Sequence, residues 1–88
     1  MTRTYRILVT SRFEKDVRRL PSGVQRRISE VLELVARNPF AFEVLSGEFK
    51  GLRKVRIGEY RLIYRIDSEN ESKTVRLLFV AHRRIVYR

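Results

Sequence analysis

The run Gly51-Leu-Arg-Lys-Val-Arg-Ile-Gly-Glu-Tyr-Arg-Leu-Ile-Tyr-Arg-Ile-Asp67 constrains this chain more than any other segment. Its β-branched and aromatic residues alternate with cations on both sides of Gly58-Glu59, the signature of a two-residue hairpin turn with glycine first. A turn at that place pairs Ile57 with Tyr60, Arg56 with Arg61, Val55 with Leu62 and Lys54 with Ile63. Cross-strand partners share a face, so Val55, Ile57, Tyr60 and Leu62 point to one side and Lys54, Arg56 and Arg61 to the other. Like charges set opposite each other in a sheet cost about a few tenths of a kcal/mol or more. A cluster retained against that repulsion implies an external anion, with phosphate the first candidate.

The rest of the chain builds a sheet around this hairpin. Residues 4–10 have the β-branched and aromatic content of a first strand. Ser11-x-x-Glu14 reads as a capping box, followed by Phe13, Val17 and Leu20 at helical spacing until Pro21. Ser22 is placed to cap a second helix reaching about Ala36, with Val24, Ile28, Val31, Leu32 and Val35 as its apolar stripe and Asn38-Pro39 as its stop. Residues 38–51 read as a loop with apolar anchors. After the hairpin come a polar turn over residues 67–73, an apolar strand over residues 74–81 and the tail His82-Arg-Arg-Ile-Val-Tyr-Arg88. The order is β-α-α-β-β-β, an α+β fold in which a helical hairpin packs on one face of a small antiparallel sheet, with residues 1–88 as one domain. The helices then cover the apolar side of the hairpin and leave the cations on the open side. The last strand brings His82, Arg83, Arg84 and Tyr87 to one end of that sheet, and either Arg83 or Arg84 faces the cluster, since a bulge would reverse the alternation.

Charge supports the same reading. The chain has 20 Lys+Arg against 10 Asp+Glu, with 16 arginines to 4 lysines. The excess is uneven: residues 50–88 hold 11 basic and 4 acidic residues, whereas residues 1–49 hold 9 and 6. Such asymmetry is the footprint of a polyanion binder, and arginine favours bidentate phosphate contacts. The absence of cysteine excludes disulfides and thiolate metal sites. No apolar run approaches the ~20 residues that span a bilayer, and no signal-peptide pattern opens the chain, so the expectation is a cytoplasmic protein without a membrane partner.

Three segments carry a resemblance: Leu45-Ser-Gly47, Leu52-Arg-Lys-Val-Arg-Ile-Gly-Glu-Tyr-Arg-Leu-Ile-Tyr64 and Ala81-His-Arg-Arg-Ile-Val-Tyr87. Together they resemble the RelE/ParE superfamily of type II toxins, over the whole chain in length and element order. The resemblance implies a toxin that cleaves mRNA in the ribosomal A site and is neutralised by a cognate RelB-like antitoxin. It implies catalytic roles for Lys54, Arg61, Arg83 and Tyr87, with Arg56 standing where many relatives carry lysine. It implies no cofactor and no metal. Two other members of the resemblance stay open: a ParE-like inhibitor of DNA gyrase, and a non-catalytic RNA-binding protein.

Metal-free RNA cleavage uses the ribose 2′-OH as nucleophile, and it needs a base, charge stabilisation at the phosphoryl oxygens and a proton for the departing 5′-oxygen. Lys54 is the candidate base, because neighbouring guanidiniums disfavour an ammonium. Arg56 and Arg61 suit the phosphate clamp, with His82 and Arg84 as further phosphate-binding candidates. Arg83 takes the leaving-group side by resemblance, while the imidazole of His82 is the more natural acid chemically, since arginine holds its proton too tightly. Tyr87 suits stacking on a nucleobase.

Overall fold

The computed structural model describes residues 4–67 and 73–84. The polar turn expected over residues 67–73 lies largely outside them. In chain order the elements are β1 (Arg6–Val9), α1 (Ser11–Arg18), α2 (Ser22–Arg37), β2 (Glu43–Val44), β3 (Leu52–Ile57), β4 (Tyr60–Asp67) and β5 (Thr74–His82). The strands form a five-stranded sheet in the order β1-β5-β4-β3-β2. This is the expected α+β arrangement, with one strand more than the sequence reading allowed. Glu43–Val44 pairs with Lys54 and Arg53 inside the segment read as a loop. Nor is the sheet wholly antiparallel. The helical hairpin carries the chain across the sheet, so β1 lies parallel to β5, while the other pairings are antiparallel.

The first helix begins one residue earlier than the capping-box reading placed it. Thr10, not Ser11, is the N-cap, and its Oγ1 accepts from the Phe13 N–H at 3.1 Å. The same hydroxyl donates toward the carbonyls of Leu77 (2.8 Å) and Leu78 (2.9 Å), which ties the start of α1 to β5. That anchorage fixes the cap at Thr10 and leaves Glu14 one position out of register for a reciprocal box. Farther along α1, Asp16 Oδ2 accepts from the Val80 N–H at 3.0 Å, satisfying a β5 donor beyond the end of β1. Ser22 is likewise the first helical residue of α2 rather than its cap, a place held by Pro21. Gln25 closes the helical hairpin by donating Nε2 to the carbonyls of Val17 (2.8 Å) and Leu20 (3.0 Å).

The core lies between the helices and one sheet face. Phe13, Ile28 and Val35 meet Val55, Ile57, Leu62, Tyr64, Val75, Leu77 and Val80, with Tyr60 packed at the margin. Burying an aliphatic or aromatic side chain of this size contributes about 1.5–3 kcal/mol, so this face fixes which side of the hairpin goes under the helices. The hairpin register is the expected one at every pair from Lys54↔Ile63 to Ile57↔Tyr60. Gly58 has φ +61°, the left-handed value that the turn demands of its first residue.

Two side chains on the helix side organise the segment after α2. The Tyr64 hydroxyl donates to the Pro39 carbonyl at 2.5 Å, and Arg53 Nη1 donates to the carbonyls of Phe40 (3.1 Å) and Phe42 (2.7 Å). Burial pushes the Tyr64 phenol up to about 12, with Arg53 pulling the other way. These bonds hold residues 39–42 against the sheet and so deliver Glu43 to its place beside β3. Among the described residues no helix is long and apolar enough to cross a membrane.

Candidate nucleic-acid interface and catalytic cluster

The face turned away from the helices carries its cations in rows across the strands. Arg56, Arg61 and Ala81 form one row, and Lys54, Ile63 and Phe79 the next. A third row holds Arg65 and Arg76, with Asp67 bridging them through 3.0 Å and 3.3 Å contacts. Neighbouring rows lie ~6.8 Å apart and neighbouring strands ~4.8 Å apart. The predicted cluster therefore exists as a contiguous surface: Lys54, Arg56 and Arg61 share one face. Arg56 is exposed, whereas Arg61 is half-buried with its Nε enclosed.

Lys54 has a neighbour that sequence reasoning missed. Its Nζ lies 3.2 Å from Glu43 Oε2 on the same face, with the lysine side chain 19 % exposed and the carboxylate 66 %. The sequence reading set cations beside Lys54 and saw no carboxylate pair on this face, with Glu59 of the turn reaching at most its edge. Glu43 was hidden because a two-residue strand leaves almost no alternation to detect.

The open face is also less open than expected. Ile63 is fully buried although it lies opposite the helix-covered core. Its row neighbour Phe79 is covered by Arg12, whose guanidinium carbon sits 4.4 Å from the ring centroid. Arg12 thus reaches round the edge of the sheet from the first turn of α1, and nothing in local sequence periodicity signals it.

A bulge in β5 settles the geometry of the strand end. Ile63 pairs with Phe79 while Tyr64 pairs with Leu77, so Leu78 is the extra residue. Past it, Val80 returns to the core side with Leu62, Ala81 lies with Arg61, and His82 lies with Tyr60 on the helix side. The rings of His82 and Tyr60 meet edge to face at 5.3 Å. Continuing the alternation along the ladder bond from Arg83 N–H to Glu59 O (2.7 Å) places Arg83 on the Arg61 side. His82 instead acts as a strut: Nδ1 accepts from the Arg84 N–H at 3.2 Å, which leaves Nε2 to donate to Glu59 Oε2 at 3.3 Å. Arg84 is exposed in the turn that follows β5. Tyr87 lies outside the described residues.

No group of His, Asp or Glu suited to a metal ion occurs among the described residues. A helical hairpin on a mixed sheet, with a cationic row on the uncovered face and basic residues at the end of the last strand, defines a small basic α+β protein. The family profile described as the ParE toxin of type II toxin–antitoxin systems, parDE, matches residues 7–87. The chain therefore belongs to the ParE toxin family within the RelE/ParE superfamily, as the hairpin motifs implied. Among solved structures it resembles the RelBE2 toxin–antitoxin complex from Mycobacterium tuberculosis at 32 % identity and TM-score 0.79, covering 90 % of this chain and 98 % of that one. The archaeal RelE–RelB complex from Pyrococcus horikoshii OT3 is similar at 27 % identity and TM-score 0.76, covering 94 % and 99 %. The intact RelBE complex from E. coli shares the fold at 22 % identity and TM-score 0.75, covering 89 % and 95 %. No curated protein matches the chain.

Proposed function

We propose that this toxin is a ribosome-dependent mRNA endonuclease that arrests translation in the cytoplasm. The observation that carries the reading is the row geometry: a phosphate held between Arg56 and Arg61 lies one row from the Glu43–Lys54 pair. In the reaction the 2′-OH loses its proton to that pair and attacks the adjacent phosphorus. The bond to the 5′-oxygen breaks, a cyclic phosphate forms, and the 5′-oxygen takes a proton from solvent water at the β5 end, where the Arg83 guanidinium offsets its developing charge. Glu43 Oε2 lies 3.2 Å from Lys54 Nζ, so the carboxylate serves as the proton acceptor in the pair and the lysine steadies the phosphoryl charge. Arg56 and Arg61 bind the non-bridging oxygens. Arg83 faces the same row, and Arg84 and Tyr87 supply further RNA contacts. His82 serves by fixing the turn between Glu59 and Arg84.

The related toxins from Pyrococcus horikoshii and E. coli are held in complexes with RelB, and this chain is proposed to be kept inactive by a RelB-like antitoxin. A net charge of +10 suits an acidic, partly disordered partner.

Primer extension on a translated message tests the reading: induced expression is expected to produce new ends inside codons. Lys54→Ala, Arg61→Ala and Arg83→Ala are each expected to relieve growth arrest without unfolding the protein, and full toxicity in all of them would overturn the assignment. The ParE name of the matching family favours a second reading, inhibition of DNA gyrase. Intact mRNA together with supercoiling defects would select it.

A further inference from the structure

The proposed RNA cluster does not account for the apolar ground beside it. Ile63 and Phe79 occupy the row next to Arg61 and Ala81, and Arg12 lies over the Phe79 ring. The Arg12 side chain is 68 % exposed, so the guanidinium surface away from the ring meets solvent. Arg12 also approaches Asp16 at 4.0 Å, a loose contact on an exposed helix face. The helix is secured without it, by Thr10 and by the Asp16 bond to Val80.

We infer that Arg12 and Phe79 form a nucleobase-stacking subsite that takes one base of a single-stranded RNA whose phosphate lies on Arg56 and Arg61. Two observations combine. A guanidinium stacked on an aromatic ring presents a flat cationic platform, and bases of unpaired RNA stack on such planes. The separation fits a nucleotide: the Phe79 row is ~6.8 Å from the Arg61 row, comparable to the step from a phosphate to its own base. Charge selects the occupant, because the surface around the platform is cationic at Arg12, Lys54, Arg56 and Arg61. The subsite gives the toxin base-dependent grip on its substrate. It rests on the RNA reading above, though not on cleavage.

The test is binding of a fluorescein-labelled, 2′-O-methylated RNA hexamer that resists cleavage, compared with the same backbone lacking its central bases. The purified chain is expected to favour the base-bearing probe on the order of tenfold, the usual worth of one stacked base. Arg12→Ala and Arg12→Lys are both expected to abolish that preference while leaving the abasic probe's affinity within about twofold. Phe79→Leu, which retains apolar volume without the ring, is expected to do the same, with thermal melting confirming that each variant is folded. A preference that survives in all these variants overturns the subsite. So does an equal loss on both probes, which would make Arg12 a phosphate ligand only. An effect confined to antitoxin binding would give the surface to the protein partner and also overturn it. The two readings fail separately: an inert chain that keeps the base preference sinks cleavage alone, and a cleaving chain without the preference sinks the subsite alone.

Discussion

The ammonium of Lys54 lies 3.2 Å from the carboxylate of Glu43, across the pairing of β3 with the short edge strand β2. This relationship changes the chemistry expected of the cationic face, because it puts a proton acceptor into a site otherwise made of cations. Glu43→Gln keeps the shape and removes the acceptor. Cleavage by this variant is expected to fall on the order of a hundredfold or more, the usual worth of a positioned base. Quantified primer extension checks it; full activity would return the role of base to Lys54.

The attachment of α1 to the sheet gives a second prediction. Asp16 acts chiefly as an acceptor for the Val80 N–H, its contact with exposed Arg12 being worth little. Asp16→Asn keeps an acceptor oxygen and is expected to change stability by less than about 0.5 kcal/mol. Asp16→Ala leaves the donor unmet and is expected to cost about 1–3 kcal/mol. Urea unfolding with an unchanged m-value separates these outcomes, and equal losses in both variants would make the charge the important feature.

Tyr64 predicts an alkaline signature. Its phenol is pushed from 10.0 up to about 12 in the folded chain, so the folded state holds the proton more tightly than the unfolded one. The resulting stability is complete below pH 10 and is lost as pH rises through about 12, amounting to about 2–3 kcal/mol. Tyr64→Phe is expected to cost about 1 kcal/mol at neutral pH, through the lost bond to Pro39, and to show a flatter decline between pH 10 and 12. Stability curves of the two proteins that run parallel over that interval would refute the assignment.

Arg56 and Arg61 face each other directly, which sets function against stability. Arg56→Thr places a good strand former opposite Arg61 and relieves the repulsion. It is expected to raise stability by about a few tenths of a kcal/mol while weakening RNA binding and reducing its salt dependence. A destabilised variant would mean that Arg56 supports the sheet rather than a ligand.

Much of this was legible in the sequence, for reasons that differ by element. The β3–β4 hairpin could be read to the residue because Gly58 specifies the turn and strict alternation specifies the faces. The α2 stripe from Val24 to Val35 and its stop at Asn38-Pro39 were equally plain, the helix running one residue further to Arg37. What stayed hidden depends on contacts distant in sequence. Thr10 displaces Ser11 as cap because of carbonyls contributed by Leu77 and Leu78. Glu43 joins the site only after Arg53 and Tyr64 have fixed residues 39–42. Within Leu77-Leu-Phe-Val-Ala81 every residue is apolar, so no change of phase reveals the bulge.

That bulge makes parity a property of the toxin. With Leu78 as the surplus residue, His82 turns toward the helices and Arg83 toward the row of Arg56 and Arg61. Removing one residue from the Leu77–Ala81 run would exchange them, sending the imidazole to the uncovered face and the guanidinium to the helix side. The side chain presented beside Arg61 can therefore be swapped by a change in strand length that alters neither residue, and the choice between the two is written in the number of residues that precede them.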